Sequence, residues 1–281
     1  MKIIEPSAEL LWITPDAEKQ IEKAARVCYK SEDRMTQESH KKFIKSLIDN
    51  EHSAMLEHAC ASIKFICDRG VSHELVRHRM ASFAMESTRY CNYTKDKFDN
   101  EINVIKPELI EEEDHYSFWQ DVCEISEEKY FILVGEHYGN RPEMARAVLP
   151  TCLKTEIIVT TNMREWRHII KLRTSDRAHP QMRELMNMAL NILSKQCPVV
   201  FEDLVDANLI SVIEVEVKRN INEVKKIHQD VGLVLNRTLS YKHNLKAFDY
   251  FDNFKYNGFK TEPSYNSLKS PNMEISIKID S

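Results

Sequence analysis

Apolar side chains recur every three or four residues in several stretches of the chain and every second residue in others. Thr14-Pro15 puts a proline at a first helical position, and Ile21, Ala24, Ala25 and Cys28 then share one face. Phe43, Ile44, Leu47 and Ile48 mark a second amphipathic helix, which the pattern ends near Asn50. Between Ala59 and Asp68 the period becomes two. Ala61, Ile63, Phe65 and Cys67 fall on one side and Ser62, Lys64 and Asp68 on the other, which predicts a strand. Gly70 breaks that strand and Ser72 caps the next element. A short helix over His73–Arg79 then carries Arg77 and Arg79 to its C-terminal end, where cations suit the helix dipole.

Residues 107–137 read as a long helix, with Phe118, Val122, Ile125 and Leu133 at helical spacing and a solvated acidic face. Gly139-Asn140 ends it, and Pro142 restarts a short helix containing Arg146 before Leu149-Pro150. Lys154–Thr161 is rich in β-branched residues and reads as a buried strand. Asn162 follows as an N-cap with Glu165 three residues on, the spacing of a capping box, so a helix runs from Met163 to about Leu172. Trp166, Ile169 and Ile170 form its apolar face. Arg173 continues that stripe, and an arginine there needs either a carboxylate partner or a ligand. Met182, Leu185, Met186, Ala189 and Leu193 mark a further helix, ended by Cys197-Pro198. Ser211–Val217 alternates like a strand, whereas from about Asp249 no periodicity is sustained, as in an accessory subdomain or a partly disordered tail. The reading is a main domain over residues 1–205 and an extension over 206–281 of unknown role.

Composition narrows the function classes. With 281 residues, 42% of them hydrophobic, the chain can bury a full core. No run approaches the roughly 18 apolar residues of a membrane span, and the start lacks a signal peptide's apolar core, which points to the cytoplasm and to no membrane partner. The seven cysteines show no Cys-x-x-Cys spacing, so neither a disulfide framework nor a zinc ribbon is supported. A pI near 6.1 argues against a stable nucleic-acid partner. The five glycines are too scattered for a phosphate loop or dinucleotide fingerprint, so a nucleotide must be held by side chains.

The side chains suited to that task concentrate between Arg77 and Tyr90, in a chain whose net charge is -5. Arg77, Arg79 and Arg89, with Ser87 between them, suit an anionic ligand such as phosphate. Taken singly, each arginine is as easily a surface or ion-pair residue; with Arg146, Arg164 and Arg173 near other element boundaries, ligand binding is favoured. His73 and His78 are five residues apart, roughly 140° around a helix, so they do not face one metal, and no metal site is expected. His52, Glu57 and His58 are more often hydrogen-bonded structure than ligands. Ser87 has no activating base at a recognisable spacing and reads as a phosphate donor rather than a nucleophile.

Arg77-His78-Arg79, seven residues, then Ser87 resembles the signature of flavin-dependent thymidylate synthases. His52 with Glu57-His58, Ala145 to Pro150, and Asn162-Met163-Arg164 followed by His168 and Leu172-Arg173 resemble family segments in the same order, together covering about residues 10–205. The resemblance implies an α/β (α+β) fold with helices flanking an antiparallel sheet, in a homotetramer whose active sites lie between subunits. It implies FAD contacts from His52, Ala54, Arg77, His78, Arg79, Met85, Asn162, Met163, Arg164 and His168. It implies dUMP contacts from Glu74, Leu75, Val76, Arg77, Met85, Glu86, Ser87, Thr88, Arg89, Arg146 and Arg173. The implied reaction is reductive methylation of dUMP to dTMP, with methylenetetrahydrofolate as carbon donor and NADPH-reduced FAD as hydride donor. Arg173 would be the catalytic residue, stabilising charge that develops on the pyrimidine. Ala84-Met85 stands where the family usually has a polar pair, with Glu86 next door as the compensating group. That departure motivates one alternative, C5 hydroxymethylation of dUMP. A separate one is a non-catalytic nucleotide-binding homologue whose tail recruits a partner, against which Arg173 and the flavin-side residues argue.

Overall fold

The computed structural model describes residues 1–108, 113–205 and 207, and the backbone of residues 234–239 and 275–280. The chain divides into two units, Met1–Asn208 and Leu209–Ser281. In the second, Val234–Leu239 pairs antiparallel with Ile275–Asp280. The alternation at Ser211–Val217 and most of the tail from Asp249 lie outside the described residues.

The first unit is built on a four-stranded antiparallel sheet. Strand β2 (Ser7–Ile13) pairs with β3 (Cys60–Asp68), β3 with β6 (Lys154–Asn162), and β6 with β4 (Ser82–Met85). A small parallel pair, β1 (Lys2–Ile4) and β5 (Asn103–Ile105), lies apart from it. Helices α1 (Ala17–Val27), α2 (Ser39–Asp49), α6 (Met163–Arg173) and α7 (Pro180–Gln196) bury their apolar stripes in the same core as the sheet. The remaining helices are α3 (Arg69–Leu75), α4 (Glu113–Val134) and α5 (Pro142–Ala145).

Two central strands set the register. Ile63 opposes Val159 and Phe65 opposes Ile157, and all four are fully buried. The period of two puts Ala61, Ile63, Phe65 and Cys67 in the core, as their alternation requires. Helix α6 lays Trp166, Ile169 and Ile170 on that face, each fully buried, and each such side chain contributes about 1.5–3 kcal/mol. Trp166 donates its indole N–H to the carbonyl of Ala61 at 3.1 Å, so its one polar atom is satisfied.

The structure corrects several sequence expectations. Helix α1 starts at Ala17 rather than Pro15, because Thr14 still belongs to the ladder. Its N–H donates to Cys60 O at 2.9 Å, and its Oγ1 accepts from Cys60 N at 2.9 Å. Cys28 lies just past the helix and is exposed. Helix α3 begins at Arg69, capped by Asp68, whose Oδ1 accepts from Val71 N at 2.6 Å; Gly70 sits inside the helix and Ser72 is not its cap. Arg77 and Arg79 therefore lie beyond its end, which removes the dipole argument for them. Strand β4 was not anticipated, since four residues reading Ser-Phe-Ala-Met carry no β-branched signal.

The described part of the long helix is Glu113–Val134: residues 107–108 are not helical, residues 109–112 lie outside the described residues, and the helix ends three residues before 137, with much of its apolar stripe facing outward. Phe118, Val122 and Ile125 are 66%, 59% and 54% exposed, while Cys123 and Tyr130 turn into a second cluster with Tyr93, Ile102, Val104, Ala145 and Leu153. Gly139, past the helix end, adopts φ +60, a conformation that favours glycine.

Candidate active site

The site is organised by what the edge of the sheet and the ends of α3 and α6 present. Asn162, the last residue of β6, accepts from Glu165 N at 2.9 Å through its side chain and starts α6. Three turns later the same helix ends at Arg173, which is half-buried and fully engaged. Its Nε donates to His78 Nε2 at 3.0 Å, its Nη1 to Glu74 Oε2 at 3.1 Å, and its Nη2 to the Glu74 carbonyl at 3.5 Å. The sequence required a partner for this arginine, and the structure supplies an acid and an imidazole together.

His78 is 6% exposed. Burial, then the neighbouring Arg173 guanidinium and His168, push its pKa down to about 4, so the ring is neutral at physiological pH. Glu165 Oε1 lies 3.7 Å from its Nδ1, and the His168 ring packs edge-on at 6.0 Å between centroids. One ligand atom from each of His78, Glu165 and His168 lies within 4.8 Å of the others, a spacing open to a metal ion. The Arg173 bond opposes that use. A metal on Nε2 would displace the guanidinium, and a metal on Nδ1 would leave the ring proton on Nε2, facing the N–H of Arg173.

A second group forms after β4. Arg146 Nη1 donates to Thr88 Oγ1 at 3.1 Å, bringing Arg146 beside the Ser87-Thr88-Arg89 turn, and Arg89 reaches Glu143 at 3.4 Å. Arg146 and Arg89 are exposed and carry donors to spare, as an anion site needs. Glu86 is different. Its Oε1 accepts from the Tyr93 hydroxyl at 3.1 Å and its Oε2 pairs with Lys154 Nζ at 2.9 Å. Burial, reinforced by Glu86, raises the pKa of Tyr93 well above the ordinary phenol. Each Glu86 oxygen thus has one protein partner and a further lone pair to offer. Met85 packs against the core from β4, whereas Ala84 lies on the exposed side of that strand.

A third group suits a larger anion. A cleft of about 200 Å³ is lined by Ser53, Leu56, Arg164, Arg167, His168, Lys171 and Leu204. Arg164 Nη1 pairs with Glu57 Oε1 at 2.6 Å, tying α6 to the turn that carries His52 and Ala54, both exposed. Arg167 is paired with Asp203 through both Nη atoms, so Lys171, the remaining donors of Arg164 and His168 are the groups the cleft offers a pyrophosphate.

Not every expected site residue is presented by its side chain. Leu75 is 1% exposed and Met163 is fully buried, both in the core, so only their backbone could meet a ligand. Val76, Arg77 and Arg79 are exposed, and neither arginine's guanidinium makes a hydrogen bond or ion pair to another described residue. Sequence reasoning missed Lys154, Tyr93, Arg167 and Lys171, whose roles arise from neighbours distant in the chain. It read Glu165 only as a capping residue.

The sequence profile of a family described as thymidylate synthase complementing protein matches residues 9–199. The chain belongs to this family. Among the relatives, the flavin-dependent thymidylate synthase of Corynebacterium efficiens is 32% identical over 220 residues, covering 70% of this chain and 84% of its own length. That of Geobacter sulfurreducens is 32% identical over 201 residues, covering 69% and 84%. A solved structure of the UMP/dUMP methylase PolB from Streptomyces cacaoi, bound with 5-Br dUMP, superposes with a TM-score of 0.62. It covers 72% of this chain and 96% of its own, and at 24% identity it speaks to the fold alone. The chain is thus an enzyme of the flavin-dependent thymidylate synthase family, and the mixed α/β fold with an antiparallel sheet agrees with the sequence expectation.

Proposed function

We propose that this enzyme methylates dUMP to dTMP, taking one carbon from methylenetetrahydrofolate. The observation that carries the reading is the Arg173 constellation: a guanidinium at the end of a helix whose apolar face is buried, aligned by an acid and a neutral imidazole. Such a preorganised cation stabilises negative charge developing on a pyrimidine ring as C5 becomes nucleophilic. Arg146, Ser87, Thr88 and Arg89 would hold the nucleotide phosphate, with Arg77, Glu74, Leu75, Val76, Met85 and Glu86 around the nucleoside. The cleft bordered by Arg164 and His168 would hold FAD, with His52, Ala54, Arg77, His78, Arg79, Met85, Asn162 and Met163 contributing side-chain or backbone contacts. An FAD bound there and reduced by NADPH would supply the hydride.

The exposed arginines Arg77 and Arg79 and the apolar stripe Phe118, Val122 and Ile125 suit contacts with further copies of the chain. They support a homotetramer with shared active sites. Among the described residues no helix is long and apolar enough to cross a membrane, and we place the enzyme in the cytoplasm. The residue range 1–205 would be the catalytic domain and 206–281 an extension.

The apolar Ala84-Met85 pair favours one second reading, hydroxymethylation at C5, because a lost polar contact could alter how the one-carbon intermediate is resolved. Incubation of purified protein with FAD, dUMP, NADPH and methylenetetrahydrofolate, followed by product mass, tests both. A methyl increment is expected, and a hydroxymethyl increment would favour the second reading.

A further inference from the structure

Glu165 occupies the acid position of a capping box, in which its carboxylate would return to the backbone N–H of Asn162. Only half of that box forms. Asn162 accepts from Glu165 N at 2.9 Å, but among the described residues the Glu165 carboxylate makes no return bond and turns instead toward His78. The two side chains are 14% and 5% exposed, so this is a contact made largely out of water.

The tautomer of His78 follows from Arg173. A guanidinium carries only donors, so Nε2, which receives Arg173 Nε–H at 3.0 Å, must offer its lone pair. In a neutral ring the proton is then on Nδ1, the nitrogen 3.7 Å from the Glu165 carboxylate. That separation is electrostatic contact rather than a formed hydrogen bond, and a shift of the Glu165 side chain by less than about 1 Å would close it. Donors and acceptors thus match through the ring: Arg173 Nε–H donates into Nε2, and Nδ1–H faces the Glu165 carboxylate. The depressed pKa of His78 agrees, since a charged ring could not accept from Arg173.

We propose that Glu165 is a positioning residue for catalysis, holding His78 in the Nδ1–H tautomer and, through His78, fixing the direction of the Arg173 guanidinium. This rests on the reading of Arg173 as the group that meets the pyrimidine. Glu74 grips the same guanidinium from the other side but is itself 41% exposed in its side chain, so it is free to yield to substrate. The buried side of the clamp, His78 backed by Glu165, is the part that stays. Without Glu165 the Nδ1–H loses its acceptor in a site nearly closed to water. The ring then exchanges tautomers or turns, and Arg173 loses its fixed aim. A carboxylate that served only the N-terminal dipole of α6 would change stability and leave turnover alone.

The test compares Glu165→Ala with Glu165→Gln in the full-length, FAD-loaded protein. Glutamine keeps an acceptor oxygen toward Nδ1, whereas alanine removes it. Glu165→Ala should lower kcat by about ten- to a hundredfold, the scale of a misaimed catalytic group, with KM for dUMP unchanged. Glu165→Gln should recover most of that loss. Independently of activity, nitrogen NMR of histidine-labelled protein should show Nε2 bare and Nδ1 protonated at His78 in the wild type and in Glu165→Gln, and a mixture in Glu165→Ala. Wild-type kcat in Glu165→Ala, equal loss in the two variants, or a wild-type ring protonated on Nε2 would overturn the proposal. If Glu165→Ala fails to fold, the wild-type and Glu165→Gln spectra still decide the tautomer. A wild-type protein that makes no dTMP would instead sink the functional reading, while the spectra continue to report on the clamp.

Discussion

Two arginines of this chain lie against apolar faces of helices with a carboxylate beside them, and their surroundings part them. Arg26, on α1, is 7% exposed and pairs with Glu22, which is fully buried, at 2.7 Å. Every oxygen around it is taken: Arg26 Nη1 donates to Ser31 O at 3.2 Å, Ser39 Oγ donates to Glu22 Oε2 at 2.9 Å, and the guanidinium sits 4.6 Å over the Phe43 ring. Arg173, on α6, shares its donors between a half-exposed carboxylate and a neutral imidazole. The first pair is closed on itself. The second can exchange Glu74 for a ligand oxygen without leaving a buried charge unpaired, and that difference separates an arginine that holds the fold from one available for chemistry.

The sharpest break in the comparison is in activity. Arg173→Ala should cost about a thousandfold or more in kcat, about 4 kcal/mol, while retaining the visible spectrum of bound flavin. Its stability in urea should fall by about 1–2 kcal/mol, less than for the buried pair below, because Glu74 can turn to solvent while His78 Nε2 loses its donor. Loss of the flavin spectrum in that variant would contradict its assigned role. Glu22→Ala should do the reverse: by stranding a buried guanidinium it should lower unfolding stability by about 3 kcal/mol, read from the urea midpoint, with kcat of the folded fraction preserved. Arg146→Ala, which removes one exposed phosphate donor, should raise KM for dUMP about tenfold, about 1.4 kcal/mol, with little change in kcat.

A separate effect concerns His78 and pH. Its folded pKa of about 4 lies below the ordinary 6.5, so the unfolded chain binds a proton that the folded one refuses. The stability it contributes is complete above pH 6.5 and is lost as pH falls toward about 4. His78→Gln should flatten the decline of Tm across that window. An unchanged profile would mean that other groups carry it.

Much of the fold was legible in the sequence, and the exceptions have physical causes. The period-two run at Ala61–Cys67 and the stripes at Trp166–Ile170 and Met182–Leu193 each have enough length to outvote local accidents, and every residue of those stripes is buried. The starts of α1 and α3 were misplaced because two capping or turn signals competed within a few residues, and tertiary bonds from Cys60 and the reach of Asp68 decided between them. The stripe on α4 was visible but not its destination. A pattern tells which face is apolar, not whether this chain or another covers it.

The same limit applies to the site. The need for a partner at Arg173 followed from its position on an apolar stripe, but Glu74 stands 99 residues away and His78 95, pairings that only the fold supplies. Glu165 shows the opposite case. Its local spacing indicated a cap, and its side chain was drawn off by a histidine from another element. Glu86, next to Ala84-Met85, is held by Lys154 and Tyr93, partners that only the fold brings to it.

The most direct measurement is the product mass from FAD-loaded protein given dUMP, methylenetetrahydrofolate and NADPH. The account predicts dTMP, formed by wild type and absent with Arg173→Ala. A protein that takes up no flavin, or a wild type and Arg173→Ala that form dTMP equally fast, would contradict it.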